Sequence, residues 1–299
     1  MTQPVGVSIA AHAKVNLLLR VLAREPDGFH GIETVFCLLD LADALVVHRR
    51  DERGVSLEVT GEDTGPTENN LTVRGATAVL EATGHRFGVH LVLDKRIPTR
   101  AGLGGGSSDA AAALLAVNRL AGDAVPRHEL LQFAARLGSD VPFFLSGGPY
   151  ALAWGHGERL LRLPPLPKSA AILLTPAARV GTADAYGWID EARASAGGRG
   201  AVALDLEALG SWGDLARLSG NDFESVVFGR LSEVRQAFEA LAGTRPSLCR
   251  MSGSGSTLFA AYRSVRDRDD AATQLGRKFG ALRLVETMAG PPLGPTSAV

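Results

Sequence analysis

A short segment of the chain is rich in glycine and ends in two serines. It reads Gly102-Leu103-Gly104-Gly105-Gly106, followed by Ser107-Ser108. Glycine accepts positive φ angles and lets backbone N–H groups approach an anion without a Cβ in the way. Either serine can cap the helix predicted to follow, and the free N–H groups at a helix start attract phosphate. The segment predicts a phosphate-binding loop rather than a flexible turn before a capped helix.

The surroundings of this loop exclude two common phosphate loops. A Walker loop ends in Gly-Lys followed by Ser or Thr, and the sequence contains no Gly-Lys pair. A Rossmann loop is followed, about twenty residues on, by an acidic residue at the end of the next strand. Asp123 has that spacing, but it follows the predicted helix directly in a loop. The glycines alone leave the type of phosphate loop ambiguous.

Lys14 and Asp140 are candidates for acid–base chemistry. Lys14 lies on the polar side of a strand predicted over residues 7–22, where apolar and polar residues alternate. Asp140 precedes Val141-Pro142, and because proline disfavours helix for the residue before it, we expect an extended turn. A carboxylate there can accept the proton of a substrate hydroxyl, and a lysine can keep it ionised. From these two residues alone, a salt bridge or two unrelated surface charges is the better interpretation.

Three aromatic side chains are candidates for holding a flat heterocycle. Phe29 and His30 follow a turn predicted at residues 26–28, and Tyr186 can supply the opposite face. Stacking on an aromatic ring contributes about 1–3 kcal/mol per base. Taken singly, each of these side chains is more typical of core or loop packing.

Length and composition favour a cytoplasmic protein that acts on a small molecule. The 299 residues suit two domains of about 150 residues each. A net charge of −1 gives no electrostatic footprint for nucleic acid or an anionic membrane. The two cysteines, Cys37 and Cys249, form no disulfide framework, and no signal peptide or membrane-spanning stretch is visible. The oligomeric state is expected to be monomer or homodimer.

Periodicity and turn signals predict a mixture of strands and helices. In the first half we expect a helix capped by Asn70 and a helix over 107–120, with strands over 7–22, 32–39, 44–48, 55–60 and 89–97. In the second half we expect helices over 182–194, 205–219, 222–228, 231–242 and 267–279, with a linker or loop over 195–200.

Several segments together resemble the GHMP kinase superfamily. The glycine loop and a second, glycine-serine loop are shared across that superfamily. The first and third segments are more particular to kinases of an alcohol that carries a cytidyl diphosphate, in isoprenoid synthesis. In chain order the segments are AKVNL (13–17) with REPDGFH (24–30), PTRAGLGGGSSD (98–109), LGSDVPFF (137–144), TADAY (182–186), NDFE (221–224) and MSGSGSTLF (251–259).

The resemblance implies an α+β fold of two domains with the substrates in the cleft between them. The N-terminal domain would be similar to domain 2 of ribosomal protein S5, and the C-terminal domain would be ferredoxin-like. We expect residues 1–160 to form the ATP-binding domain and residues 161–299 the domain on the substrate side. The implied activity is transfer of phosphate from ATP, with Mg²⁺, to the 2-hydroxyl of the cytidyl-diphosphate alcohol.

The resemblance also implies a role for individual residues. It makes Asp140 the catalytic base and Lys14 its partner, and it names no protein ligand for Mg²⁺. The residues implied at ATP are Lys95, Pro98, Thr99, Arg100, Ala101, Gly102, Leu103, Gly104, Gly105, Gly106, Ser107 and Ser108. The residues implied at the cytidyl substrate are Asn16, Phe29, His30, Thr182 and Tyr186.

Two departures and two alternatives accompany this resemblance. Phe29 stands where the pattern usually has tyrosine, and Arg100 occupies a usually small position. A homoserine or mevalonate type of GHMP kinase would share both glycine loops, but it would not be expected to carry residues 27–30 together with 137–140. A nonenzymatic ATP-binding sensor of the same fold would usually have a damaged catalytic pair or loop, and here both are intact.

Overall fold

The structure is a computed structural model that describes residues 5–196, 204–292 and 294–297. The strands are β1 (Gly6–Arg24), β2 (His30–Arg50), β3 (Val55–Gly61), β4 (Gly88–Lys95), β5 (Tyr150–Gly155), β6 (Arg159–Arg162), β7 (Ala170–Thr175), β8 (Leu248–Met251), β9 (Leu258–Tyr262), β10 (Ala281–Glu286) and β11 (Thr296–Ser297). The helices are α1 (Leu71–Ala82), α2 (Gly105–Leu120), α3 (Arg127–Leu137), α4 (Val141–Leu145), α5 (Thr182–Ala196), α6 (Trp212–Leu218), α7 (Asp222–Arg230), α8 (Ser232–Gly243) and α9 (Val265–Leu275).

The first sheet is built around the long strand β2. Along its length β2 pairs antiparallel with β1, and its two halves pair with β5 and β4 respectively. The order β11-β1-β2-β4-β3 is completed by β6, which pairs with β5. The small side chains Ala110, Ala113 and Ala116 of α2 are fully buried, and they let this helix lie close to the sheet.

The second sheet has the antiparallel order β10-β7-β9-β8 and is covered on both faces. On β7, Ala171 and Leu173 face a core shared with β1 and β2, whereas Ile172 and Leu174 face a core shared with the helices α5, α7, α8 and α9. Burial on both faces explains why the sequence of β7 is continuously apolar rather than alternating.

Strand β1 belongs to all three cores of the molecule. Ile9 packs against α2 and its neighbours, Val15 and Leu17 lie between the two sheets, and Val21 packs in the C-terminal core. Two of the three register shifts against β2, those between His12 and Lys14 and between Asn16 and Leu18, interrupt the alternation in the middle of this strand. Such bulges re-aim side chains, and here they lie beside the two polar residues Lys14 and Asn16.

Most predicted elements are present, and a few differ in their bounds. Asn70 caps α1 by accepting a hydrogen bond from the N–H of Thr72 at 2.9 Å, as predicted. The strands predicted over 32–39 and 44–48 are one strand, β2, and the helix predicted over 205–219 is a 3₁₀ turn at Glu207–Gly210 followed by α6. The linker predicted over 195–200 begins inside α5, and its residues 197–200 lie outside the described residues.

The predicted domain boundary at residues 160 and 161 falls within β6, the last strand of the first sheet before the chain enters the second. The short C-terminal strand β11 returns to the first sheet beside β1. The position of the boundary stays a prediction. Over the described residues, every helix is too short or too polar to cross a membrane.

Candidate active site

One cavity of about 750 Å³ brings most of the predicted site residues together. Both members of the predicted catalytic pair, all five predicted substrate residues and three residues of the glycine loop line it. These are Lys14, Asp140, Asn16, Phe29, His30, Thr182, Tyr186, Gly102, Gly104 and Ser107. Residues that are far apart in sequence and lie in both halves of the chain therefore share one space.

The ammonium group of Lys14 is held by three oxygen acceptors. Its Nζ lies 2.7 Å from Oδ1 of Asn16, 3.2 Å from the carbonyl oxygen of Gly102 and 3.2 Å from Oδ2 of Asp140. The Lys14 side chain is 4% exposed and that of Asp140 is 28% exposed. The lysine is thus buried behind the aspartate, and the carboxylate faces the cavity.

Asp140 lies at the start of a short helix, which corrects the predicted extended turn. Its backbone is in the right-handed helical region, and α4 begins at Val141 with Pro142 in the first turn. Proline is tolerated there because the N–H groups of a first helical turn have no partner within the helix. The five residues of α4 are all buried, so the position of Asp140 is set by packing against the core.

The glycine loop leads directly into α2. The helix begins at Gly105 with Gly104 in a left-handed conformation as its cap, and no side chain caps it. The predicted cap by Ser107 or Ser108 is therefore wrong, because both serines already belong to the first helical turn. Without a capping side chain, the N–H groups of this turn stay available for an anion, and the helix dipole favours negative charge at the same point.

The second glycine-serine loop lies directly against the first. The hydroxyl of Ser252 donates a hydrogen bond to the carbonyl oxygen of Gly102 at 2.8 Å and accepts one from the N–H of Asn16 at 3.3 Å. Gly102 has φ +76°, and a Cβ there would overlap the backbone carbonyl of Ser252. The two loops therefore approach each other at Gly102 more closely than a residue with a Cβ would allow.

Lys95 is buried beneath the glycine loop rather than lining the cavity. Its Nζ is ion-paired with Asp43 and lies 2.8 Å from Oδ2 of Asp109, and 2.8 Å from the point where a Cβ on Gly105 would lie. Asp43 also accepts hydrogen bonds from two backbone N–H groups, those of Arg96 and Ile97. We name Asp43, Lys95 and Asp109 the buried charge cluster.

Within the buried charge cluster, one lysine faces two carboxylates. Burial raises the pKa of Asp109 to about 8, Lys95 opposes this rise, and the charge of Asp43 adds to it. Oδ1 of Asp109 is buried without a hydrogen-bond partner among the described residues, which leaves room for a proton on that oxygen. A protonated Asp109 makes the cluster neutral.

The predicted aromatic residues line the same cavity and form two separate contacts. Tyr186 stacks on His30 with ring centroids 5.0 Å apart and meets the edge of Phe223. Phe29 is 64% exposed and lies against His156 at 5.3 Å. Burial, and to a smaller extent the charge of Asp140, raises the pKa of Tyr186 to about 12, so its hydroxyl stays protonated.

Several residues of the site carried no signal in the sequence. Asp190 of α5 accepts from or is ion-paired with Nε2 of His30 at 2.7 Å, yet it lies 160 residues away. Ser252, Thr34 and Asp43 contact predicted site residues from other elements. Only the second glycine-serine loop pointed to any of them, since it contains Ser252.

Comparison with known proteins agrees with this architecture. The family described as GHMP kinases N terminal domain matches residues 70–148, and GHMP kinases C terminal matches residues 201–282. A solved homoserine kinase from Cytophaga hutchinsonii superposes with a TM-score of 0.74, covers 99% of this chain and 98% of its own, and is 20% identical. That likeness concerns the fold. The chain is a GHMP kinase by fold and by sequence, with the two-domain organisation of that superfamily.

More closely related proteins identify the family within this superfamily. The 4-diphosphocytidyl-2-C-methyl-D-erythritol kinase of Cupriavidus metallidurans is 38% identical over 95% of this chain and 93% of its own length. The protein of that name from Pelotomaculum thermopropionicum is 38% identical over 91% and 94%. A crystal structure of 4-(cytidine 5'-diphospho)-2C-methyl-D-erythritol kinase gives a TM-score of 0.78 at 36% identity, covering 95% of this chain and all of that one. The chain belongs to the 4-diphosphocytidyl-2-C-methyl-D-erythritol kinase family.

Proposed function

We propose that this protein transfers a phosphoryl group from ATP to the 2-hydroxyl of 4-diphosphocytidyl-2-C-methyl-D-erythritol, giving the 2-phosphate and ADP in isoprenoid precursor synthesis. The observation that carries the proposal is that the Lys14–Asp140 pair and the start of α2 line one cavity. Phosphoryl transfer depends mainly on positioning and charge compensation, and these groups can supply both.

At the nucleotide end, the free N–H groups of the first turn of α2 would hold the phosphates of ATP. Asp140 would accept the proton of the attacking hydroxyl, and Lys14 would compensate the charge that develops. Mg²⁺, when bound, neutralises phosphate charge and prefers oxygen ligands. Ser107 and Asp140 offer such oxygens to the cavity, whereas the carboxylate of Asp109 is turned towards Lys95.

At the other end, Phe29, His30 and Tyr186 would hold the cytidyl group, and Asn16 and Thr182 would contact the rest of the substrate. This assignment is supported by their position along the same cavity. The remaining predicted ATP contacts in the glycine loop would bind the nucleotide from the loop itself. Lys95 would act on the nucleotide from beneath the loop.

The two cysteines are both free, which suits a reducing compartment, and we propose that the enzyme works in the cytoplasm. Its partner is a small molecule. Whether it is a monomer or a homodimer is measured by light scattering after size-exclusion chromatography.

The test is a side-by-side assay of the purified chain with Mg²⁺-ATP and three alcohols. ADP release is expected with the cytidyl alcohol and not with homoserine or mevalonate. Faster turnover of either of the other two alcohols would assign the chain a different substrate. ATP binding without ADP release would make it a sensor.

Variants of the catalytic pair test the mechanism. Asp140→Asn is expected to lower kcat by about 10²–10⁴-fold with a normal fold, because it removes the proton acceptor. Lys14→Ala is expected to lose most turnover. Asp123→Asn, in an exposed ion pair with Arg119 at the end of α2, is the matched control and should retain wild-type kcat. A near-wild-type kcat in Asp140→Asn would remove that residue as the base.

A further inference from the structure

A buried chain of hydrogen bonds leads from Lys14 to strand β2. Oδ1 of Asn16 accepts from Lys14 Nζ at 2.7 Å, and Nδ2 of Asn16 donates to the hydroxyl of Thr34 at 2.7 Å. That hydroxyl donates to the backbone carbonyl of Leu18, also at 2.7 Å. Thr34 is 0% exposed and Asn16 is 3% exposed, so water does not substitute for these partners.

The protons in this series of hydrogen bonds can be arranged in only one way. A hydroxyl has a single proton, and a backbone carbonyl can only accept. Because Thr34 gives its proton to Leu18, it can only accept from Asn16. The NH₂ end of the Asn16 amide must therefore face Thr34, and its carbonyl oxygen must face Lys14.

This orientation matters because the two ends of an asparagine amide are nearly equal in shape and opposite in hydrogen bonding. An ammonium group has three donors and no acceptor. With the amide reversed, the NH₂ group would face the Lys14 ammonium, donor against donor. The lysine would lose the shortest of the three contacts that hold it at Asp140.

Ser252 is the other hydroxyl near this amide. Its Oγ lies 3.5 Å from Oδ1 of Asn16 but 2.8 Å from the carbonyl oxygen of Gly102. The single proton of Ser252 is directed to the shorter contact, so Ser252 does not select the orientation of the amide. Among the side chains described in the structure, Lys14 and Thr34 contact opposite ends of the amide, and Thr34 fixes its orientation independently of the lysine.

We propose that Thr34 is a positioning residue for the transfer reaction: its hydroxyl orients the Asn16 amide, which in turn holds Lys14 against Asp140. Thr34 is not among the residues that line the cavity, so it acts through Asn16 rather than on a substrate. The inference rests on the proposed function for its effect on catalysis. The orientation of the amide is independent of that function.

The kinetic test compares Thr34→Val with Thr34→Ser. Valine keeps the shape of threonine and suits a strand but has no hydroxyl, whereas serine keeps the hydroxyl. Thr34→Val is expected to lower kcat by about 10–100-fold, corresponding to one lost hydrogen bond to a charged group, with KM for ATP changed less than about threefold. Thr34→Ser is expected to restore kcat to within about threefold of wild type. If valine does not fold, Thr34→Ala is the second variant without a hydroxyl.

A second measurement reports the amide itself and needs no activity. Hydrogen exchange of the Asn16 side-chain NH₂ protons, followed by NMR, is expected to be slow in wild type and Thr34→Ser and fast in Thr34→Val or Thr34→Ala. A merely structural role would lower Tm in the hydroxyl-free variants while leaving kcat of the folded enzyme unchanged.

The possible failures are distinguishable. Unchanged kcat in the folded hydroxyl-free variants of an active enzyme would overturn the role of Thr34 and leave the proposed function standing. If the wild type phosphorylates none of the alcohols, the proposed function fails, and the exchange rates alone decide whether Thr34 orients Asn16. Unchanged exchange in the hydroxyl-free variants overturns the inference in either case.

Discussion

Replacing Asp109 by asparagine removes the second carboxyl group from the buried charge cluster under the glycine loop. Burial raises the pKa of Asp109 from 3.8 to about 8 in the folded protein. Asp43 instead accepts hydrogen bonds from the N–H groups of Arg96 and Ile97 at 2.6 and 2.8 Å. We therefore expect the cluster to hold one proton near neutral pH, and to hold it on Asp109.

The pH dependence follows from this proton. Between about pH 4 and pH 8 the folded protein keeps the proton on Asp109 and the unfolded chain releases it. Unfolding therefore releases a proton, and the contribution of Asp109 to the free energy of unfolding falls as pH rises through this window. Each pH unit is worth at most about 1.36 kcal/mol, so three units within the window give an upper limit of about 4 kcal/mol. Asparagine cannot ionise and lacks this dependence.

The assay is the free energy of unfolding of wild type and Asp109→Asn at pH 5, 6, 7 and 8, from urea titrations. We expect the difference, variant minus wild type, to increase by about 2–4 kcal/mol across that range. Asp123→Asn, in an exposed ion pair with Arg119, is the control, and its difference from wild type should stay flat. Parallel curves for Asp109→Asn and wild type would refute the proton on Asp109.

Three further predictions concern the substrate end, the loop contact and the core. Phe29→Ala is expected to raise KM for the cytidyl substrate, with KM for ATP unchanged, if Phe29 stacks on the base; an unchanged KM would argue against stacking. Gly102→Ala is expected to raise KM for ATP and to lower kcat about tenfold or more, because a Cβ there overlaps the carbonyl of Ser252; wild-type kinetics would contradict this. Asn118→Ala is expected to cost about 2–4 kcal/mol in urea unfolding, because the buried Asn118 side chain bonds both the N–H and the carbonyl of Val125 at 2.9 Å; a loss below about 1 kcal/mol would show that the loop before α3 finds other partners.

The features that could be predicted from the sequence are those set by neighbouring residues. The strand β1, the Asn70 cap of α1 and the position of the glycine loop before α2 all follow from local propensity and spacing. The family resemblance then predicted that Lys14 and Asp140 act as a pair, which their residue types alone did not predict. The structure places both in one cavity, and their catalytic roles remain predictions.

The features that could not be predicted depend on contacts between distant segments. Residues 40–43 contain two aspartates and seemed to separate two strands, but Asp43 is buried because Lys95 and two backbone N–H groups compensate its charge. Pro142 seemed to exclude a helix, yet in the first turn of α4 its missing N–H costs nothing. Asp190 reaches His30 only because α5 packs beside the start of β2.

The contact between Gly102 and Ser252 also bears on how molecules enter and leave the enzyme. It holds the glycine loop against the loop after β8 at close range, so the two loops cannot move apart without breaking the hydrogen bond from the Ser252 hydroxyl to the Gly102 carbonyl. By contrast, α5 contacts β1 and β2 through its side chains, with Arg193 donating to the carbonyls of Val21 and Leu22 and Asp190 contacting His30. We therefore expect substrates and products to enter and leave the cleft beside α5. The side-chain contacts of α5 can open there while the contact between Gly102 and Ser252 keeps the nucleotide site in shape.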